Sequence, residues 1–440
     1  MRRRVVMTGL GPVTGFGLGI DVLWNAMCEG RSAIGPMTRF DPAGFACRAA
    51  AELSDELFSI RKLVPKSYRK STKVMCRDIE LAVAAAASAV EDAKLITKGI
   101  DPDAEPTIAP ERFGCHIGAG LIAADVDELS AALVTSQRED GSFDIRDWGA
   151  QGMQNLTPLW LLKYLPNMLA CHVTIVHDCQ GPSNTITCCE ASAALSLGES
   201  MRVIERGVAD ACLTGGADYK LNPLAYLRLD FAKRLAPTEG FDDPAAAVRP
   251  FAPDAAGSIA GEGGGLIVVE GADTAAERGA HVYATVEGYA ATQSFCADTI
   301  GLEGEADGQS LADAMTLALR DAGCSAEAID VIVPFGSGIP SVDASEQAAI
   351  ERVFGERATS IPLITTIPFT GNCCAGNSAI ALAVGAKILD EQRLPARLQT
   401  MGSSLNANAA PSTDATVGKV LVVTTSQGGQ NAALVLGRPE

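Results

Sequence analysis

Short β-branched runs alternate with alanine-rich helical segments along the whole 440-residue chain, and this alternation is what most restricts its fold. Val5–Thr8 reads as a strand ending in a glycine turn, Asp78–Leu95 as a long helix, and Phe113–Ile117 as a strand opening into Gly118–Gly120. A second series follows: strand Thr185–Cys188, helix Ala191–Arg206, strand Ala211–Gly215, then a buried strand Gly264–Val269 after a glycine cluster. From about Val282 the order restarts with a strand, helix Leu311–Ala322, strand Val331–Val333 and helix Ser345–Val353. Helix Asn377–Glu391 and the paired strands Lys419–Thr424 and Ala432–Leu436 complete it. The restart predicts a layered α/β fold built from a duplicated unit, although no strong residue-level repeat accompanies it. Thr97–Arg112, Gln137–Pro158 and Gly402–Gly418 read as long surface loops.

The remaining composition narrows the function. Hydrophobic residues make up 47% and charged residues 20%, enough to bury a large core. A formal charge of −18 excludes a basic footprint of the kind non-specific nucleic-acid binding needs. The N-terminal apolar run is broken at Thr8 and Gly9, too short for a secretory signal, and no stretch reaches the roughly 18 apolar residues of a membrane span. Thirteen cysteines without such a signal are expected in a reducing cytoplasm, mostly as small core residues.

Several blocks, in order, resemble the elongating β-ketoacyl-acyl carrier protein synthases of the thiolase superfamily. They are the opening Arg3–Asp41, the segment Met75–Ala93, Pro166–Ile175 followed by Gly181-Pro182, Gly207–Asp218 and, most specific, Arg249–Glu270. The resemblance covers nearly the whole chain. It implies a thiolase-type, duplicated αβαβα architecture with halves at 1–272 and 273–440, no cofactor, and an obligate dimer.

The family's Claisen condensation needs a thiolate at a helix N-terminus, two histidine donors for the enolate, and a lysine. With Gly181-Pro182 aligned to the family motif, the nucleophile position falls on Glu190, the first histidine on Phe335, the lysine on Ile367 and the second histidine on Asn372. Thr425 and Gln427 take the places of a phenylalanine pair at the acyl pocket, and Asp343 and Glu346 keep the family pattern. A one-residue slip would put Cys189 at the nucleophile position, but it requires a deletion and leaves both histidines missing. The chain's only histidines are His116, His172, His177 and His281, none at a motif position. The family's acyltransferase activity is therefore expected to be absent, with no catalytic residue at these positions.

The resemblance then implies a chain-length-factor-like subunit of fatty acid or polyketide biosynthesis, partnered by an active ketosynthase. The alternative is a homodimeric enzyme with new chemistry on acyl thioesters built around Glu190 and Asn372. Lys66, Arg69, Lys70, Lys73 and Arg77 form a basic run that would receive an acidic acyl carrier protein or serve as a solvated face. Cys188-Cys189 and Cys373-Cys374 should lie on neighbouring loops. Adjacent cysteines diverge, so no metal site is expected there.

Overall fold

The computed structural model describes residues 2–295 and 304–439. Nine strands run through one mixed sheet in the spatial order Val331–Val333, Lys419–Thr425, Gln430–Gly437, Ala284–Gln293, Val5–Thr14, Gly263–Gly271, Ala211–Asp218, Phe113–Ala119 and Ser183–Ile186. A short strand, Gly17–Leu18, hairpins back on Val5–Thr14.

Strand directions expose the duplication. From the Ser183 edge inward, the successive pairings are parallel, parallel, antiparallel and antiparallel, ending on Val5–Thr14. From the opposite edge, a parallel bridge of Leu363 to Ile332 is followed by one parallel and two antiparallel pairings, ending on Ala284–Gln293. The two five-stranded patterns join where Val5–Met7 pairs antiparallel with Ala284–Val286.

Helices Ser192–Glu205 and Asn377–Glu391 pack on each other and on strands of both patterns. They form the central layer, and Asn377 through Leu389 is buried without a break. Helix Arg77–Asp92 covers the outer face of one pattern and Gln309–Asp321 that of the other. Alanine is what makes these contacts close. A Cβ on Gly9 or Gly11 would stand 2.3 Å from the carbonyl oxygen of Ala89 or Ala85, and one on Gly288 would stand 2.3 Å from that of Ala318. The same glycine-on-alanine seam thus recurs in both patterns, and any side chain there would force helix and sheet apart.

Several sequence boundaries move. The first strand continues through Gly9 and Gly11 to Thr14, because those glycines allow close helix approach and do not make a turn. The expected strand Thr185–Cys188 is Ser183–Ile186, and Cys188 lies beyond it. The segment Gln137–Pro158 contains a helix, Ile145–Ala150, whose first turn is capped by the Asp144 carboxylate accepting from the Arg146 N–H at 2.7 Å. Among the described residues, no helix is long and apolar enough to cross a membrane.

A buried acid pair ties the layers together. Asp78, in the first turn of its helix, and Asp218, at the end of its strand, both accept from the Tyr219 N–H, at 3.0 and 2.9 Å. Asp218 also accepts from the Ala375 N–H at 3.2 Å and pairs with Lys220. Burial, then the neighbouring Asp218 charge, push Asp78 up to about 7. Because this folded value lies above the unfolded 3.8, folding takes up a proton between those values. The stability contributed by protonated Asp78 is full below about 4 and is lost as pH rises through 7. In urea denaturation from pH 4.5 to 7.5, the wild type should lose stability relative to Asp78→Asn by up to about 1.4 kcal/mol per pH unit. Parallel curves would remove this account of the pair.

Candidate functional site

Each central helix is entered through the same local structure. A three-residue 3₁₀ turn, Cys189–Ala191 or Cys374–Gly376, leads into Ser192–Glu205 or Asn377–Glu391. The first residue of each turn has positive φ, 45° at Cys189 and 43° at Cys374, strained for a residue with a Cβ. Ser192 braces one bend: its hydroxyl donates to the Cys189 carbonyl at 2.7 Å and accepts from the Cys188 N–H at 2.8 Å. The two turns pack against each other, so the paired cysteine loops do meet. All twelve described cysteines are free, and no described group of three or more His, Cys, Asp or Glu residues is arranged to hold a metal.

Glu190 follows the first bend and is 2% exposed. Both of its carboxylate oxygens are hydrogen-bonded. One oxygen accepts from Arg234 Nη2 at 3.0 Å and the other from the Gln427 N–H at 3.0 Å. Its carbonyl accepts from the hydroxyls of Ser378 at 2.9 Å and Thr424 at 3.3 Å. Arg234 is itself 3% exposed. A buried carboxylate is tolerated when a charge and a hydrogen-bond donor satisfy it, and this one has both. Arg234 escapes sequence reasoning because Ala232-Lys233-Arg234 looks like any surface basic stretch. The one available signal was indirect: a glutamate at a buried helix entrance demands a cation.

Cys189, the residue that a one-residue slip would align with the nucleophile, precedes Glu190. Although the residue is exposed, desolvation of its thiol, followed by the Glu190 charge, pushes it up to about 12.

The other motif positions gather on two sides of this pair. Phe335 and Ile367 are buried in one apolar cluster with Ile259 and Ala260. Asn372 bridges Ala260, donating its N–H to the Ile259 carbonyl at 2.7 Å, and its side-chain oxygen caps the Cys374 N–H at 2.8 Å. The Arg234 carbonyl accepts from Ser258 at 2.9 Å, which links this side to Glu190. Gln427 reaches Glu190 through its backbone. Thr425 is half-buried opposite Asn431 in the strand ladder, and its neighbour Thr424 makes the contact with Glu190.

The loop bearing Phe335 is held by two buried acids. Glu346 accepts from the Phe335 and Gly336 N–H groups, both at 2.8 Å, and Asp343 accepts from Ser337 N–H and hydroxyl and from the Phe251 N–H, each at 2.8 Å. Burial pushes Glu346 up to about 8 and Asp343 to about 6.

The four histidines are committed elsewhere, to Ser200 (His116), Tyr68 (His172), Thr97 (His177) and Asp390 (His281). Of the basic run, Lys66, Arg69, Lys70 and Lys73 are exposed, as are Arg61 and Lys62 before them. Arg77 departs from the expected surface. Its Nε donates to Glu262 at 2.6 Å, and that fully buried carboxylate also takes Arg39 Nη2 at 2.9 Å and the Leu53 N–H at 2.9 Å. A buried carboxylate draws the guanidinium inward.

Two family models match: the β-ketoacyl synthase N-terminal domain over residues 2–275 and the C-terminal domain over 283–401. The chain is 30% identical to 3-oxoacyl-[acyl-carrier-protein] synthase 2 of Synechocystis sp., over 90% of this chain and 87% of the relative. It is also 30% identical to a Streptomyces violaceoruber protein named as granaticin polyketide β-ketoacyl synthase 1, over 100% and 99%. Among solved structures, the ishigamide ketosynthase/chain length factor superposes with a TM-score of 0.82 at 26% identity over the full length of both chains. A type II polyketide synthase acyl-carrier protein complexed with its ketosynthase gives 0.83 at 24%, also over both full lengths. These are thiolase-type folds, as the layered, duplicated strand pattern requires. With the two domain models spanning most of its length and relatives aligned nearly end to end, this chain belongs to the β-ketoacyl synthase family.

Proposed function

We propose that this chain is a ketosynthase-like subunit of fatty acid or polyketide biosynthesis that does not itself condense acyl units, and that it acts as a chain-length-factor-like partner of an active β-ketoacyl-acyl carrier protein synthase. The observation that carries the reading is the Glu190–Arg234 ion pair at the entrance of the Ser192 helix. Where the family aligns its nucleophile, a carboxylate is closed off by a guanidinium and a backbone N–H. Phe335 and Ile367, aligned with a histidine and the lysine, are packed as apolar core, and the side-chain oxygen of Asn372 is spent on a turn. Its burial tells against new chemistry at Glu190, since a general base must reach substrate and Glu190 is 2% exposed behind its ion pair.

The repeated strand pattern supports a division into halves at 1–272 and 273–440. Among the described residues, the outermost strand, Ser183–Ile186, is paired on one side only, with Ser183 and Asn184 exposed. Leu121, Val134, Ile145, Leu159 and Leu161 also present exposed apolar side chains. An open strand edge and exposed apolar side chains on the same half of the chain support a second subunit. The ketosynthase/chain length factor and the carrier-protein complex among the structural relatives support the two partner classes. On this chain the carrier protein would dock on Lys66, Arg69, Lys70 and Lys73, without Arg77.

Purified chain given acyl- and malonyl-loaded carrier protein should release no condensation product, and Glu190→Cys should not rescue it, because both aligned histidines are still missing. Product formation that depends on Glu190 would overturn the reading. Glu190→Ala should cost about 3–5 kcal/mol in denaturant unfolding by leaving Arg234 buried and unpaired. Adding Arg234→Met should recover part of that loss. A cost below about 1 kcal/mol would mean the pair is not buried in solution.

A further inference from the structure

Arg234 has more binding capacity than Glu190 uses. The guanidinium is permanently charged and presents its donors as a rigid fork suited to two parallel bonds with one carboxylate. Here only Nη2 reaches Glu190, while Nε is buried with no hydrogen-bond partner among the described residues. The cause is a tether. The Glu190 backbone is fixed by Ser378 and Thr424 on its carbonyl and by the strained bend before it, so its carboxylate reaches one arm of the fork and the Gln427 N–H. A carboxylate free of that tether could turn to take Nε and Nη2 together.

We propose that Arg234 and the Gln427 N–H form a built binding site for a short-chain carboxylate, occupied in this chain by its own Glu190 side chain. The inference rests on the Arg234 geometry and not on the non-condensing reading, so either can fail alone. Size selects the ligand. Removing the Glu190 side chain to glycine vacates two methylene carbons and a carboxylate, which propionate replaces almost atom for atom. Acetate leaves a gap, formate a larger one, and butyrate must displace packed atoms. Access is short: Cys189 and Gly428, the chain neighbours of Glu190 and Gln427, are both exposed.

The test compares wild type, Glu190→Gly and Glu190→Gly/Arg234→Met by thermal unfolding in sodium propionate against sodium chloride at equal ionic strength. Propionate should raise the Glu190→Gly midpoint saturably over the millimolar range, by about 2 °C or more. The order should be propionate above acetate above formate. Wild type and the double variant should respond to propionate as they do to chloride. No propionate-specific rise in Glu190→Gly, or an equal rise in all three proteins, overturns the proposal. If Glu190→Gly does not accumulate as folded protein, the comparison moves to refolding from denaturant. Propionate must then raise the yield of the single variant and not of the double, and equal yields overturn the proposal.

Discussion

Two helices enclosed between the halves of a folded-over sheet set the terms for everything else in this molecule. Ser192–Glu205 and Asn377–Glu391 are covered by strands from both patterns, so Glu190 and Ala191 of the first entering turn and the whole of the second are buried as well. A group placed there loses its water and must be satisfied by the protein. The two bends at Cys189 and Cys374 cost on the order of 1–3 kcal/mol each and persist only because the surrounding layers fix them. Such a position can hold a reactive thiolate, as the family's chemistry asks, or a carboxylate with a buried counter-ion. Glu190 with Arg234 is the second solution. The pair then propagates outward, because Glu190 also anchors Gln427 and Thr424, while Arg234 anchors Ser258 and, through that segment, the neighbourhood of Asn372.

The layered fold was legible because burial on both faces leaves a periodic trace. The alanine stretch of Arg77–Asp92 and the apolar run Ala379–Ala386 within Asn377–Glu391 could only be helices packed closely on both flanks or on a glycine-bearing strand. Local chemistry misled in specific places. Gly9 and Gly11 look like a turn in sequence, but they are the strand's means of admitting a helix at backbone distance. Asp144 starts a helix inside a segment whose polarity reads as loop, because a cap is a single side-chain contact and leaves no periodicity.

At the site, motif order names positions in the chain but not the partners they meet. Glu190, Phe335, Ile367 and Asn372 could be found by aligning motifs in order, since motif order is a property of the chain. Arg234 and the inward turn of Arg77 depend on which buried carboxylate each meets across 44 and 185 residues. Nothing in the local sequence distinguishes a guanidinium that will be buried from one left in water. The clue lies in the acid, which cannot be buried alone.

The central claim, that this chain completes another subunit's site and has no condensing site of its own, is tested most directly by its native assembly. Native mass spectrometry of the complex purified from its own host should give one copy of this chain with one copy of a second β-ketoacyl synthase that retains the cysteine and both histidines. A stable homodimer that condenses acyl and malonyl thioesters unaided would contradict it.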